Sequence, residues 1–330
     1  MKRQTAYGVV MAKLCFGNYT RGMRTRFYTH PVCREHLTPP GHPERPDRLR
    51  AIVDRLDDEP FAYLERLEAP LGDEATILYA HPQHHLDKVK MSIPEKGMAR
   101  IDEDTTVSPK SFEAALLAIG GANAAVDDVF SGEAGNVFVA GRPPGHHAEK
   151  DRAMGFCLFN NAAIAARHAQ RKHGAERVAI VDWDVHHGNG TQDIFWDDPT
   201  VLYCSTHQMP LYPGTGARDE TGVGNIVNAP LPPGAGSEAF REALNALVLP
   251  ALDRFSPDLI IISAGFDAHW RDPLAELNFQ TEDFDWATGV LMEKADRLSQ
   301  GRLVSLLEGG YDLEGLSASV AAHVGRLMKG

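Results

Sequence analysis

The stretch RVAIVDWDVHHGNG, residues 177–190, sets three apolar β-formers, Val178, Ile180 and Val181, directly ahead of Asp182, Asp184, His186, His187 and two glycines. It reads as a buried strand over residues 177–181 that delivers a polar loop to the end of a sheet. At a strand's period of two, Asp182 and Asp184 share a side, and His186 follows with the same spacing. Neighbouring carboxylates repel unless a cation or hydrogen-bond donors compensate. A carboxylate offered together with an imidazole suits a divalent cation of zinc-like character. Helix capping within a solvated loop is the plain alternative for the same residues.

Outward from this stretch, further short apolar runs read as strands at residues 136–140, 201–204, 259–263 and 302–307. Helical periodicity covers residues 45–56, 111–130, 160–173, 237–255, 281–299 and 313–328. Alternation of the two is the pattern of an α/β domain, a parallel sheet covered by helices. The segment 111–130 reads as a packing helix without a catalytic role. No repeat, low-complexity tract or long linker divides the chain, so residues 26–330 are expected to form a single domain. Residues 1–25 read as a disordered leader, with Met1 or Met23 as the start.

Four of the five strands run straight into reactive loops: GRPPGHHAE, DWDVHHGNG, AGFDAH and EGGYDL. Ligands of open α/β sheets bind beyond the carboxyl ends of the strands. The four loops are therefore expected to meet at one site.

Each loop brings its own chemistry. Asp267 follows a run apolar enough that an unpaired carboxylate at its end would be costly; it is a third candidate metal ligand, with Arg271 as the structural alternative partner. Two carboxylates and one imidazole leave a coordination position open, the pattern of a catalytic zinc. His146 and His147 form a tandem pair that is hard to bury without two sets of partners. Metal ligation by the pair is one use, and acid–base work beside a metal is the better fit. Gly309 and Gly310 allow tight turns and close approach to a substrate, and Tyr311 offers a phenol suited to a developing oxyanion. His187, residues 214–216 and residues 222–224 carry weaker signals, the glycines reading as turn residues.

Composition limits the rest. The chain has 330 residues, 43% hydrophobic and 24% charged, with 33 Lys and Arg against 45 Asp and Glu, a formal net charge of −12. That balance disfavours a nucleic-acid partner, whose binding rests on phosphate contacts. Cys15, Cys33, Cys157 and Cys204 are scattered without C-x-x-C spacing, which argues against a disulfide scaffold or thiolate zinc site. No apolar run approaches the roughly 18 residues that a membrane span needs, and a cytoplasmic location is the default.

The assembled motifs resemble the zinc-dependent histone deacetylase family, specifically its class II branch. The resemblance spans about Arg26 to Leu327. It rests on His42-Pro43-Glu44-Arg45-Pro46, RPPGHHAE, GFCLFNN from Gly155, DWDVHHGNGTQ, the stretch from Tyr212 to Gly216, SAGFDAH and EGGYDL. It implies the arginase–deacetylase fold, a central parallel sheet of about eight strands flanked by helices. Residue by residue, it implies Zn²⁺ on Asp184, His186 and Asp267, and His147 as general base and then acid. His146 would be its electrostatic neighbour, hydrogen-bonded to Asp182, and Tyr311 would polarise the acyl carbonyl. Gly155 and Phe156 match one wall of an acyl-lysine tunnel and Tyr212 the other. A structural K⁺ is implied at Asp182, Asp184, His186, Ser205 and Thr206, and a second monovalent site at Phe195, Asp198 and Val201. Asn189 would be the catalytic-site residue that orients His147, and it stands where class I members carry Asp, the class II pattern. The rim carboxylate that holds the substrate backbone is left open among Glu95, Asp102 and Asp104.

The implied partner is an acetylated lysine peptide or protein, or a small acylated amine; the oligomeric state is not indicated. In the polyamine-selective class II relative a Glu follows the Asp-Pro pair, whereas here Asp272-Pro273 is followed by Leu274, counted as a substrate-binding position. The segment between His81 and Asp102 is also short for the insertion of dimeric polyamine amidohydrolases. Both features favour acyl-lysine. A zinc-loaded binding module would lack Tyr311 or the His pair, and a binuclear manganese ureohydrolase would need further bridging aspartates.

Overall fold

The computed structural model describes residues 24–330. From the amino end come β1 (Thr25–Thr29), α1 (Asp47–Leu56), β2 (Glu65–Glu68), α2 (Glu74–Ile77) and α3 (Gln83–Ser92). A short ribbon, β3 (Ala99–Arg100) and β4 (Thr106–Val107), leads to α4 (Ser111–Ser131), β5 (Asn136–Val139), α5 (Asn161–His173), β6 (Val178–Asp182) and α6 (Asn189–Phe195). Then follow β7 (Val201–Gln208), β8 (Ile226–Leu231), α7 (Ser237–Ala243) and α8 (Leu249–Phe255). The chain closes with β9 (Leu259–Ala264), α9 (Thr281–Leu298), β10 (Leu303–Leu307) and α10 (Leu313–Leu327).

Eight strands form one sheet in the order β2-β1-β5-β10-β9-β6-β7-β8. Every neighbouring pair is parallel. The central strands β5, β6, β9 and β10 are buried at every position. That is why they read as unbroken apolar runs rather than alternating ones. One face is covered by α4 and α5, which bring Ala115, Ile119, Ala162 and Ala165 onto Val137, Ile180 and Ile261. On the other, α1, α9 and α10 bring Ile52, Leu291 and Val320 onto Val181, Ile260 and Ile262.

The expected strands and helices are present, with boundaries moved by a few residues. Five strands were not read from the sequence: the short ribbon β3 and β4, and three strands of the main sheet. The edge strand β2 (ERLE) alternates half-buried and exposed positions and has little apolar content to signal it. The opposite edge strand, β8, contains Pro230, which an edge tolerates and a sequence pattern discounts. The strand β1 starts at Thr25, one residue before the expected domain boundary; residues 1–23 of the expected leader lie outside the described residues. The single helix expected over residues 237–255 is two helices joined by a wider π turn at Leu244–Val248. Pro250 explains the break, having no N–H and a ring that collides with the carbonyl four residues back. The helix α4 is, contrary to expectation, long and apolar enough to cross a membrane by length and composition, yet 78% of its apolar window is buried inside the fold. It is a core helix.

Candidate active site

Strand register sets the stage. Asp182, the last residue of β6, pairs with Ser205 of β7 and Ser263 of β9, and Leu307, the last residue of β10, pairs with Ala264 at the end of β9. Loops leaving β5, β6, β9 and β10 therefore emerge side by side at one sheet edge. The strand β7 runs on to Gln208, four residues further than its apolar pattern, and carries the chain toward Tyr212.

At that edge Asp184, His186 and Asp267 come together, each buried, with their ligand atoms all within 4.8 Å of one another. His186 Nδ1 lies 3.2 Å from Asp184 Oδ1 and 3.2 Å from Asp267 Oδ2. Asp184 is held in place by the N–H groups of His186 at 2.9 Å and Gly309 at 2.7 Å. Asp267 accepts the Val185 N–H at 2.8 Å through Oδ1, while its Oδ2 is buried without a hydrogen-bond partner. The backbone is shaped around these oxygens: a Cβ at Gly309 would stand 2.1 Å from Asp267 Oδ2, and one at Gly265 2.1 Å from Asp184 Oδ2. A buried, unpartnered carboxylate oxygen beside an imidazole and a second carboxylate fits a divalent cation. Burial opposes a charge on His186, but the two carboxylates outweigh it and pull its pKa up to about 10. Arg271 is no partner of Asp267; it pairs with Asp312 at 2.8 Å and Glu314 at 2.5 Å.

The tandem histidines sit over this cluster with opposite proton affinities. His146 Nδ1 is 3.1 Å from Asp182 Oδ2 and its Nε2 is 3.8 Å from Asp184 Oδ1. Burial works against its charge, yet Asp184 and Asp182 raise its pKa well above the ordinary value. His146 thus stands between the two aspartates, within 3.1 Å of Asp182 and 3.8 Å of Asp184. Tyr203 also donates its hydroxyl to Asp182 at 3.0 Å. His147 is pushed the other way, first by burial and then by the charges of His146 and His186. Its Nδ1 meets Asn189 Oδ1 at 2.8 Å. Glu308 Oε2 accepts the N–H groups of Gly145 at 2.7 Å and His146 at 3.1 Å, so the end of β10 fixes the turn that carries the pair.

Aromatic side chains frame the site. Tyr212, 39% exposed, sets its ring edge-on to His147 at 5.2 Å and to His186 at 6.3 Å. The Phe156 ring meets Tyr311 at 6.0 Å and His42 at 4.7 Å. Gly155 and Phe156 both adopt positive φ, +56° and +68°, and a Cβ on Gly155 would enter the His147 ring at 2.4 Å. A non-glycine residue in that region is strained and is found where function holds it. Tyr311 is oriented by its N–H to Asp272 at 2.7 Å and by the Arg48 guanidinium 4.9 Å from its ring centre. Burial and then Asp267 push its phenol pKa well up, so it stays a donor. Gly310, at φ +120°, turns its carbonyl to Arg48 Nε at 2.6 Å. Leu274 donates its N–H to Asp272 at 3.1 Å and is half-buried beside this turn.

The residues matched to monovalent sites divide. Thr206 Oγ1 is buried without a partner, and Ser205 Oγ contacts His207 Nδ1 at 2.8 Å. The carbonyls of Phe195, Asp198 and Val201 do converge, but on the side-chain nitrogen of Asn225, at 2.8, 2.9 and 2.9 Å. Of the three rim carboxylates left open, Asp104 accepts the Gly155 N–H at 3.0 Å, whereas Asp102 is tied to Arg152 at 2.9 Å. His187 contacts Thr215 at 2.7 Å and Gln192 at 3.1 Å and takes no part in the cluster.

A family model described as "Histone deacetylase domain" matches residues 42–327, which include the described site. The chain belongs to the histone deacetylase family. Within this deacetylase family, a "Histone deacetylase-like amidohydrolase" of Pseudomonas aeruginosa is 40% identical over 311 residues, covering 87% of this chain and 82% of that protein. A "Probable deacetylase" of Archaeoglobus fulgidus is 41% identical over 303 residues, covering 89% and 83%. Among solved structures, the "Crystal Structure of HDA15 HD domain" superposes with a TM-score of 0.88 at 39% identity, covering 93% of this chain and 90% of that one. The arginase–deacetylase fold expected from the motifs is present, and these relatives make this family member a hydrolase of the amidohydrolase type.

A buried charged layer lies behind the site of this deacetylase-family chain, and local sequence motifs do not report it. Glu44 is fully buried, taking a two-pronged contact from Arg142, through Nε to Oε1 and through Nη2 to Oε2 at 2.6 Å, and a bond from Arg48 at 3.1 Å. Arg48 also reaches the Glu308 carbonyl at 2.5 Å. The HPERP motif was visible as a resemblance, but only three-dimensional packing reveals that its glutamate meets the distant Arg142 as well as the neighbouring Arg48.

Proposed function

We propose that the protein is a zinc-dependent deacylase that hydrolyses the amide of acetylated lysine side chains. The observation that carries this reading is geometric: His147 on Asn189 at 2.8 Å and His146 on Asp182 at 3.1 Å stand beside the buried Asp184, His186 and Asp267 cluster. Asp184, His186 and Asp267 would hold the cation. When bound, zinc supplies Lewis acidity that polarises a carbonyl and lowers the pKa of a water to about 7.

The chain's own groups do the rest. The Nδ1–H of His147, donated to Asn189, leaves Nε2 with its lone pair toward the pocket, where it takes a proton from the attacking water. The same nitrogen returns that proton to the departing lysine amine. His146, held charged by Asp182 and Asp184, stays protonated and lends positive potential to the developing oxyanion. Tyr311 donates its hydroxyl to that oxyanion. Phe156 and Tyr212 offer aromatic walls to an apolar four-carbon stem, and Asp104 is the carboxylate available at the rim.

Leu274, where a polyamine site would need a carboxylate, supports acyl-lysine over acetylated polyamines, and Asn189 supports the class II pattern. A structural K⁺ beside Asp182, Asp184, His186, Ser205 and Thr206 belongs to the same reading. A cytoplasmic location goes with the same reading. The deciding comparison is kcat/KM on an acetyl-lysine peptide against acetylspermidine. A preference for the peptide supports the reading; a preference for the polyamine replaces it with the small-molecule alternative.

A further inference from the structure

Asn189 differs from a carboxylate in one respect that matters here. An aspartate presents an acceptor whichever way it turns, but an amide has a donor end and an acceptor end. With Oδ1 facing His147, the imidazole is protonated at Nδ1 and Nε2 is a free base. With Nδ2 facing His147, the proton must move to Nε2 and the base is lost. Something has to fix the amide.

The group on the far side of Asn189 is Glu149. Its Oε1 accepts the Asn189 Nδ2–H at 2.7 Å, while Asn189 Oδ1 meets His147 Nδ1 at 2.8 Å. Among the described residues, the only other partner of Nδ2 is the weakly accepting Met154 sulfur at 3.4 Å. Turning the amide over would set two oxygens 2.7 Å apart, one of them on a carboxylate, so Glu149 excludes the wrong tautomer. Glu149 is itself placed by the fold. Its N–H bonds the Arg152 carbonyl at 2.9 Å, and the preceding loop is pinned to the first turn of α6 by Gly190 and Thr191 N–H groups on the His146 carbonyl at 3.0 and 3.2 Å. A Cβ on Gly190 would strike the Ala148 carbonyl oxygen at 2.2 Å, so that close approach requires glycine.

We propose that Glu149 is a positioning residue for the base: through Asn189 it selects the Nδ1-protonated tautomer of His147. Its negative charge further polarises the amide, so that Asn189 Oδ1 binds the imidazole N–H more strongly than a neutral relay would. The inference rests on the proposed deacylase reading for its kinetic consequence but not for its tautomer consequence.

The test uses Glu149→Ala, Glu149→Gln and the wild type. Glutamine keeps an oxygen that accepts from Asn189 in one of its two amide orientations, whereas alanine keeps none. On an acetyl-lysine peptide, Glu149→Ala is expected to lower kcat about tenfold with KM within about twofold, and Glu149→Gln to lose less, because one of its two orientations still accepts from Asn189. In ¹⁵N NMR of the metal-free protein, with His147 assigned from a His147→Gln spectrum, the wild type should show a single tautomer protonated at Nδ1 and Glu149→Ala a mixture. A single Nδ1-protonated tautomer in Glu149→Ala would overturn the proposal. So would equal losses in both variants accompanied by a fall in Tm, which would make Glu149 a structural residue only. A wild type inactive on every acyl substrate would defeat the functional reading, leaving the NMR result to decide the role of Glu149.

Discussion

Gly309 donates its N–H to Asp184 Oδ2 at 2.7 Å and leaves no room for a side chain, since a Cβ there would lie 2.6 Å from the same oxygen. The end of β10 is thus a wall of the metal cluster built from bare backbone. Gly309→Ala should displace the carboxylates and weaken Zn²⁺ binding about 100-fold, at the upper end of what disturbed ligand orientation costs. Isothermal titration of the metal-free variant checks this, and an unchanged Kd would show that the cluster has slack the geometry denies.

Tyr311 makes no hydrogen bond through its hydroxyl among the described residues, although its backbone and ring are anchored by Asp272 and Arg48. A donor held in place without a partner is available to a transition-state oxygen. Tyr311→Phe is expected to lower kcat by two to three decades, about 3–4 kcal/mol, with little change in KM. A near-normal kcat would remove the phenol from the mechanism.

The buried Glu44 gives a prediction about acid. Burial alone would raise its pKa, but Arg142, His36 and Arg48 hold it far below the usual carboxylate range. A carboxylate depressed in the folded state contributes stability in full above its unfolded pKa of about 4.3 and loses it as pH falls further. Glu44→Gln should therefore cost about 3–5 kcal/mol at pH 7, the range for leaving buried charge uncompensated, and the gap from the wild type should narrow below about pH 4. Denaturant midpoints at pH 7 and pH 3.5 test both halves of this statement.

Much of the site was legible because metal and acid–base chemistry needs particular side chains at strand ends. Asp184, His186 and Asp267 lie together as their loops implied, and the His146–Asp182 and His147–Asn189 pairs are formed. The fold class was equally readable, since β6 and β9 are buried on both faces and so carry unbroken apolar runs. What stayed hidden had a physical reason. The strands β2 and β8 lie at sheet edges where the pattern is diluted, and the break at Pro250 falls inside an otherwise helical period. The Glu44–Arg142 pair spans 98 residues, a separation no local pattern reports. The carbonyl ring of Phe195, Asp198 and Val201 was matched to a cation, yet Asn225 puts its amide there.

In the proposed mechanism, one metal ion and this His–Tyr constellation together cleave an acyl amide. Its most direct test is turnover of an acetyl-lysine peptide by chelator-treated protein to which Zn²⁺ is returned in fractions of an equivalent. Activity near zero in the stripped protein, rising linearly to a plateau at one equivalent and absent in Asp267→Asn, is the predicted result. Undiminished hydrolysis by the stripped protein, or a plateau reached only at two equivalents, would contradict it.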